Sequence, residues 1–255
     1  MPFLLRCVRA RGDQQPRGTS RPRRPHLVSR HLARVRPARS RGQRLLRPDR
    51  GGAPEFTLAA LDEHGEVVAR AHSVPFALHA SGRGELPATG WDEVLRWAFA
   101  DRQRGTPPGT VSAIDVTVRS DRLGRGLSGL LLDAMRRNAA FLGFAELVAP
   151  VRPTAKQQEP GTPMTAYAHR TRPGGLPADP WLRTHVRAGG VIDSVAPASM
   201  VVTGSLAQWR AWTGVPFAAP GPPPVPGGLC PVLCVPDDGC AVYAEPNVWV
   251  RHRLT

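Results

Sequence analysis

Lysine is nearly missing: Lys156 is the only one among 34 basic residues, the others being arginine. A P-loop needs a lysine inside G-K-[ST], so nucleotide hydrolysis of that kind is excluded. Tyrosine is almost as scarce, with Tyr167 and Tyr243 alone. Any chemistry that uses a phenol therefore has two candidates. Four cysteines in 255 residues make no disulfide framework. Cys230-x3-Cys234-x5-Cys240 has neither C-x-x-C spacing nor a nearby histidine pair, so no metal site is expected. No stretch approaches the roughly 20 consecutive apolar residues of a membrane span. Met1–Val8 is too short an apolar run for a secretory leader. These absences describe a cytoplasmic protein in a reducing compartment.

Acidic residues are thin at the start of the chain. Residues 1–52 hold 15 arginines against Asp13 and Asp49, which accounts for nearly all of the formal charge of +14. The remainder is close to neutral, which argues against nucleic acid as a partner of the folded part. Arginine alternates with proline, glycine and serine in 1–52 without apolar periodicity, so a disordered tail is expected there. It reads as a nucleic-acid-binding arm, a transit-like peptide, or coding from a misplaced start or shifted frame. The arginine, alanine, glycine and proline usage suits a G+C-rich bacterial genome.

What is present centres on residues 111–151. Val111–Val118 alternates apolar residues with Ser112, Asp115 and Thr117 and is rich in β-branched side chains, which predicts a strand. A basic, glycine-punctuated loop, Asp121–Ser128, follows. Leu127, Leu130, Leu131, Ala134, Met135, Ala139 and Leu142 then recur at helical spacing up to Gly143, and Ala145–Val151 reads as a second strand. The loop feeds Gly124, Arg125 and Gly126 into a helix N-terminus, where four amides lack partners and the helix dipole is positive. Glycines let a phosphate come close to those amides, and Arg122 and Arg125 add charge. Gly124-Arg-Gly126-Leu-Ser-Gly129 also matches the dinucleotide fingerprint G-x-G-x-x-G, with Glu146 near the acidic position. In that fingerprint, however, the first glycine follows the strand almost at once; here five residues intervene.

The string Val118-Arg-Ser-Asp-Arg-Leu-Gly-Arg-Gly-Leu-Ser resembles the acetyl-CoA-binding core of the GNAT acetyltransferase superfamily, V-x-P-x-x-R-G-x-G-x-[GA]. Ser120 stands for the proline, Leu123 for the usual arginine or glutamine, and Ser128 for the last small residue. Over roughly Phe56–Thr213 the resemblance implies an α/β (α+β) fold: a mixed, mostly antiparallel twisted sheet flanked by helices. It implies a domain at 53–213, preceded by the tail at 1–52 and followed by a C-terminal extension, 214–255, with a β-hairpin. Acetyl-CoA as the acyl donor would lie on Val116, Thr117, Val118, Arg122, Leu123, Gly124, Arg125, Gly126, Leu127, Ser128 and Gly129. The acceptor would be the amine of a small molecule or amino-acid-like compound.

Elsewhere, Phe56–Leu61 and Glu66–Ser73 predict a hairpin across Asp62–Gly65, with Pro75 ending the second strand. A helix is expected from Trp91 to Arg102, and 152–178 reads as a long loop. Asp179 is a natural N-cap for a helix stopped by Gly189-Gly190. Val191–Val195 and Ser199–Thr203 read as two strands, and Ser205 caps a short helix. Leu229–Val235 and Ala241–Tyr243 read as a closing hairpin.

Acetyl transfer must polarise the thioester carbonyl, deprotonate the ammonium and protonate the departing thiolate. The resemblance implies a tyrosine as the thiolate's proton donor, in the helix after the second core strand. His185 stands at that position, with Tyr167 as the other candidate acid. Asp115, the only carboxylate in the cofactor strand, is the candidate base. A non-catalytic acyl-CoA binder, or a nucleic-acid-binding protein using the basic arm, are the rival classes.

Overall fold

In the computed structural model, which describes residues 4–7, 54–217 and 225–254, the β-branched run Thr110–Val118 forms strand β4 at the middle of a mixed sheet. Before it come β1 (Leu4–Cys7), β2 (Thr57–Leu61), β3 (Val67–Phe76) and helix α1 (Gly90–Arg104). After it come α2 (Leu127–Phe141), β5 (Glu146–Val151), the short α3 (Met164–Ala168) and α4 (Pro180–Arg187). Then follow β6 (Val191–Ser205), α5 (Leu206–Thr213), β7 (Leu233–Val235) and β8 (Cys240–Arg253). The strand order is β1-β2-β3-β4-β5-β8-β6, with β7 on the free edge of β8. Pairing is antiparallel except between β4 and β5. The expected α/β class and mostly antiparallel sheet are thus what the chain builds.

Two layers of apolar side chains sandwich the sheet. Leu127, Leu131, Leu132, Met135 and Ala139 of α2 and Leu182 of α4 meet Ala69, Ala71, Val111, Leu147, Val248 and Val250 on one face. Val94 and Leu95 of α1 meet Phe76, Ile114, Val148 and Trp249 on the other. Leu130, expected inside, is 43% exposed and Leu132 is buried in its place. The buried stripe is turned because α2 packs sideways on α4 as well as down on the sheet.

Several boundaries differ from the sequence reading. β3 continues through Pro75 to Phe76. β2 pairs only as far as His72, so Pro75 sits where one edge is open and its missing N–H breaks no ladder. The two strands expected at 191–203 are one, β6, with register breaks at Ile192/Ser194 and Ala196/Met200, the second spanning Pro197. The long loop 152–178 carries a 3₁₀ turn, Lys156–Gln158, and α3. The first sheet strand, not recognised in the tail, is Leu4–Cys7, antiparallel to β2. The rest of the expected tail lies outside the described residues.

The C-terminal segment is not peripheral. The hairpin of β7 and β8 is present, but β8 runs on through Glu245–Arg253, between β5 and β6 inside the sheet. Its residues Val248, Trp249 and Val250 are fully buried. Cys230, Cys234 and Cys240 are free thiols around this hairpin.

Candidate active site

β4 and β5 start as neighbours and then part. They pair only at Val111–Leu147 and Ser112–Val148. β4 meanwhile stays on β3 as far as Val118–Ala69, and the N–H of Arg119 donates to the Val68 carbonyl at 2.8 Å. Alternation along an antiparallel ladder then turns the backbone groups of Asp115 and Thr117 toward β3. Those of Val116 and Val118 face the side from which β5 has diverged. The divergence begins at a bulge: register passes from Ser73–Ala113 to His72–Asp115, leaving Ile114 as the extra residue. The Trp91 indole N–H, from the first turn of α1, donates to the Ile114 carbonyl at 3.0 Å and holds the bulge. The helix inserted at 90–104 therefore reaches the site as well as covering the core.

The loop after β4 turns through a 3₁₀ segment, Ser120–Arg122, and reaches α2 with Gly124 at φ 76° and Gly126 at φ 75°. Both lie in the left-handed region that side chains disfavour. Gly126 is the N-cap, and no side chain caps the helix. The first-turn amides of Leu127, Ser128 and Gly129 have no preceding helical carbonyl to bond, the anion-receptive arrangement of a helix start. Thr184 of α4 lies beside Gly129, within 3.8 Å of where a Cβ would stand. Arg122 is half-buried, 3.4 Å from Asp62 and 3.6 Å from Asp121, while Arg119 holds Asp121 at 2.7 Å. Leu123 and Arg125 are exposed. Glu146, noted for the dinucleotide fingerprint, is taken by Thr110 at 2.9 Å and Arg251 at 2.8 Å.

The three candidate proton-transfer residues are not brought together. His185 is 2% exposed; its Nδ1 is 3.0 Å from Nε2 of His252 on β8, and its ring meets Trp181 edge-on at 4.6 Å. Tyr167 is also buried and donates at 3.0 Å to Oδ2 of Asp179. Burial, and then the Asp179 charge, push its phenol well above the ordinary range. Asp115 alone of the three has open surface. Its Oδ1 lies 2.6 Å from Nδ1 of His72 across the β3–β4 ladder. Sequence reasoning missed His72, since only the strand register sets it opposite Asp115.

The His185–His252 pair makes folding pH-dependent. Burial, then the neighbouring imidazole, pushes His185 down to about 3. Burial, then Arg136, pushes His252 down to about 4. An unfolded histidine titrates near 6.5, so as the pH falls the unfolded chain takes up protons first. The stabilisation is complete above roughly pH 6.5 and drains away as the pH falls toward those depressed values. Melting temperature should already be dropping at about pH 5.5, where carboxylates are still ionised. A flat profile down to about pH 4.5 would contradict the neutral pair.

No protein-family model matches the chain. Arginine N-acetyltransferase avaD of Aspergillus versicolor is 34% identical over 213 residues, covering 76% of this chain and 72% of that protein. The chain belongs to the GNAT N-acetyltransferases. The loading GNATL domain of CurA from Lyngbya majuscula matches the fold with a TM-score of 0.52, at 17% identity, over 79% of this chain and 78% of that one. In this N-acetyltransferase the strands β4 and β5 part in front of the uncapped start of α2. The expected acyl-CoA dependence and transferase class stand.

Proposed function

We propose that the enzyme transfers the acetyl group of acetyl-CoA to an amine of arginine or of a closely arginine-like compound, and does so in the cytoplasm. The observation that carries the donor half is the β4–β5 pair, which stops after two registers and opens directly in front of the uncapped α2. The diphosphate sits on the amides of Leu127, Ser128 and Gly129 with Gly124 and Gly126 beneath it. Arg122, Leu123 and Arg125 line the loop, and the pantetheine arm runs along Val116, Thr117 and Val118. A backbone N–H of β4 facing the gap polarises the thioester carbonyl, stabilising the charge that develops there. The acceptor half is supported by the similarity to a relative named for arginine. His185 and Tyr167, enclosed as they are, hold α4 and the loop before it.

Mass spectrometry of reactions with acetyl-CoA and an amine panel tests this. Arginine should be acetylated faster than its neutral isostere citrulline and faster than an arylalkylamine. Preference for the arylalkylamine would overturn the acceptor assignment. Acetyl-CoA that neither raises the melting temperature nor releases thiol would overturn the donor assignment.

A further inference from the structure

His72 and Asp115 face one another on the side of the sheet that carries α1. On β4, Val116 and Val118 pack into the layer under α2, whereas Ile114 packs under α1. Asp115, just past the bulge, alternates with Val116 and so shares the α1 side. Both side chains keep about two-fifths of their surface, 37% for His72 and 41% for Asp115. This is the one described cross-strand imidazole–carboxylate pair that opens beside the divergence of β4 and β5.

We propose that His72, held by Asp115, is the base that takes the proton from the acceptor's ammonium. The proposal rests on the acetyl-transfer reading. With its carboxylate ionised, Asp115 can only accept, so Nδ1 of His72 carries the hydrogen between them and Nε2 keeps its lone pair. The ammonium loses one proton to Nε2. The freed nitrogen lone pair forms the C–N bond to the thioester carbonyl carbon, and the C–S bond breaks. The nitrogen's second proton ends on the CoA thiolate, and His72 passes its proton to solvent. Asp115 acts through His72 and is a positioning residue. The charged groups acting on the imidazole are Asp115, which raises its pKa mainly through the hydrogen bond, and Arg70 on β3, which opposes it. On α1, Asp92 is turned to the Val201 amide and Glu93 is paired with Arg96.

Rate against pH, measured with acetyl-CoA and arginine on the full chain, tests the assignment. In the wild type, kcat/KM should fall on the acid side through a pKa above 6.5, the ordinary histidine value. His72→Asn should lower kcat/KM on the order of 10²-fold and erase that limb, with acetyl-CoA affinity and melting temperature retained. Asp115→Asn should move the limb to lower pH, because the partner that holds the imidazolium is gone. A His72→Asn rate within about threefold of wild type overturns the base. Should that variant not fold, an Asp115→Asn limb unmoved from the wild type overturns it instead. A wild type that acetylates no amine overturns the acetyl-transfer reading and the base with it; a rate that survives His72→Asn overturns the base alone.

Discussion

Replacing Gly124 and Gly126 together by valine should raise the KM for acetyl-CoA by about 10-fold or more and abolish the cofactor's effect on melting temperature. Both glycines sit near φ +75°. Holding an L-residue there costs roughly 1–2 kcal/mol, and a β-branched residue more. The loop would relax to negative φ and carry the first-turn amides of Leu127, Ser128 and Gly129 off the diphosphate. Nothing lies within 4 Å of a Cβ built at either position. The core is therefore untouched, and without cofactor the melting temperature should fall by only a few degrees. An unchanged KM would mean that the diphosphate lies elsewhere; a collapse of the unliganded protein would mean that the loop carries the fold rather than the ligand.

The separation of the two effects reflects what could be read from the residues. The strand, loop and helix at 110–141 are spelled locally, by period two, then paired glycines, then period near 3.6. The N-cap of α4 is equally local: the carboxylate of Asp179 accepts from the amides of Trp181 and Leu182 as its position before Pro180 implies. The capping box of α5, Ser205 with Gln208, is another such case. What escaped the reading depends on pairing between distant segments. His72 and Asp115 are 43 residues apart and meet through the β3–β4 register. His185 matched a motif position by spacing, but its environment is set by His252, 67 residues on, which arrives with β8. β8 falls in the stretch that the resemblance sets apart as an extension, and Glu245-Pro246-Asn247 interrupts its apolar pattern. In the fold those residues are buried, with Glu245 held by Arg152 at 3.0 Å and by the hydroxyl of Tyr243 at 2.8 Å. A polar residue that finds a buried partner is invisible to hydropathy.

Asp179→Ala should be the most damaging single change to stability among the residues around the site. The side chain is 2% exposed and accepts four hydrogen bonds. Oδ1 takes the amides of Trp181 and Leu182 at 2.9 and 3.0 Å; Oδ2 takes the amide of Ala155 at 2.8 Å and the hydroxyl of Tyr167 at 3.0 Å. It thus ties the segment after β5, α3 and the start of α4 together at one point. Loss of an N-cap costs about 1 kcal/mol. Each buried donor left without a partner costs about 1–3 kcal/mol more, so Ala155 and Tyr167 bring the loss to about 4–5 kcal/mol. For a domain of this size that is a fall of roughly 10–15 °C in melting temperature. Asp179→Asn keeps an acceptor for the cap but turns an NH2 toward two donors, and should fall in between. Tyr167→Phe removes one of the four bonds and should cost about 1 kcal/mol, leaving the transfer rate nearly unchanged if the phenol is a fastening. A Tyr167→Phe enzyme that melts normally yet loses about 10²-fold in rate would instead make the phenol the thiolate's proton donor. The pair of variants therefore separates a joint from an acid, because only the joint passes its effect through Asp179.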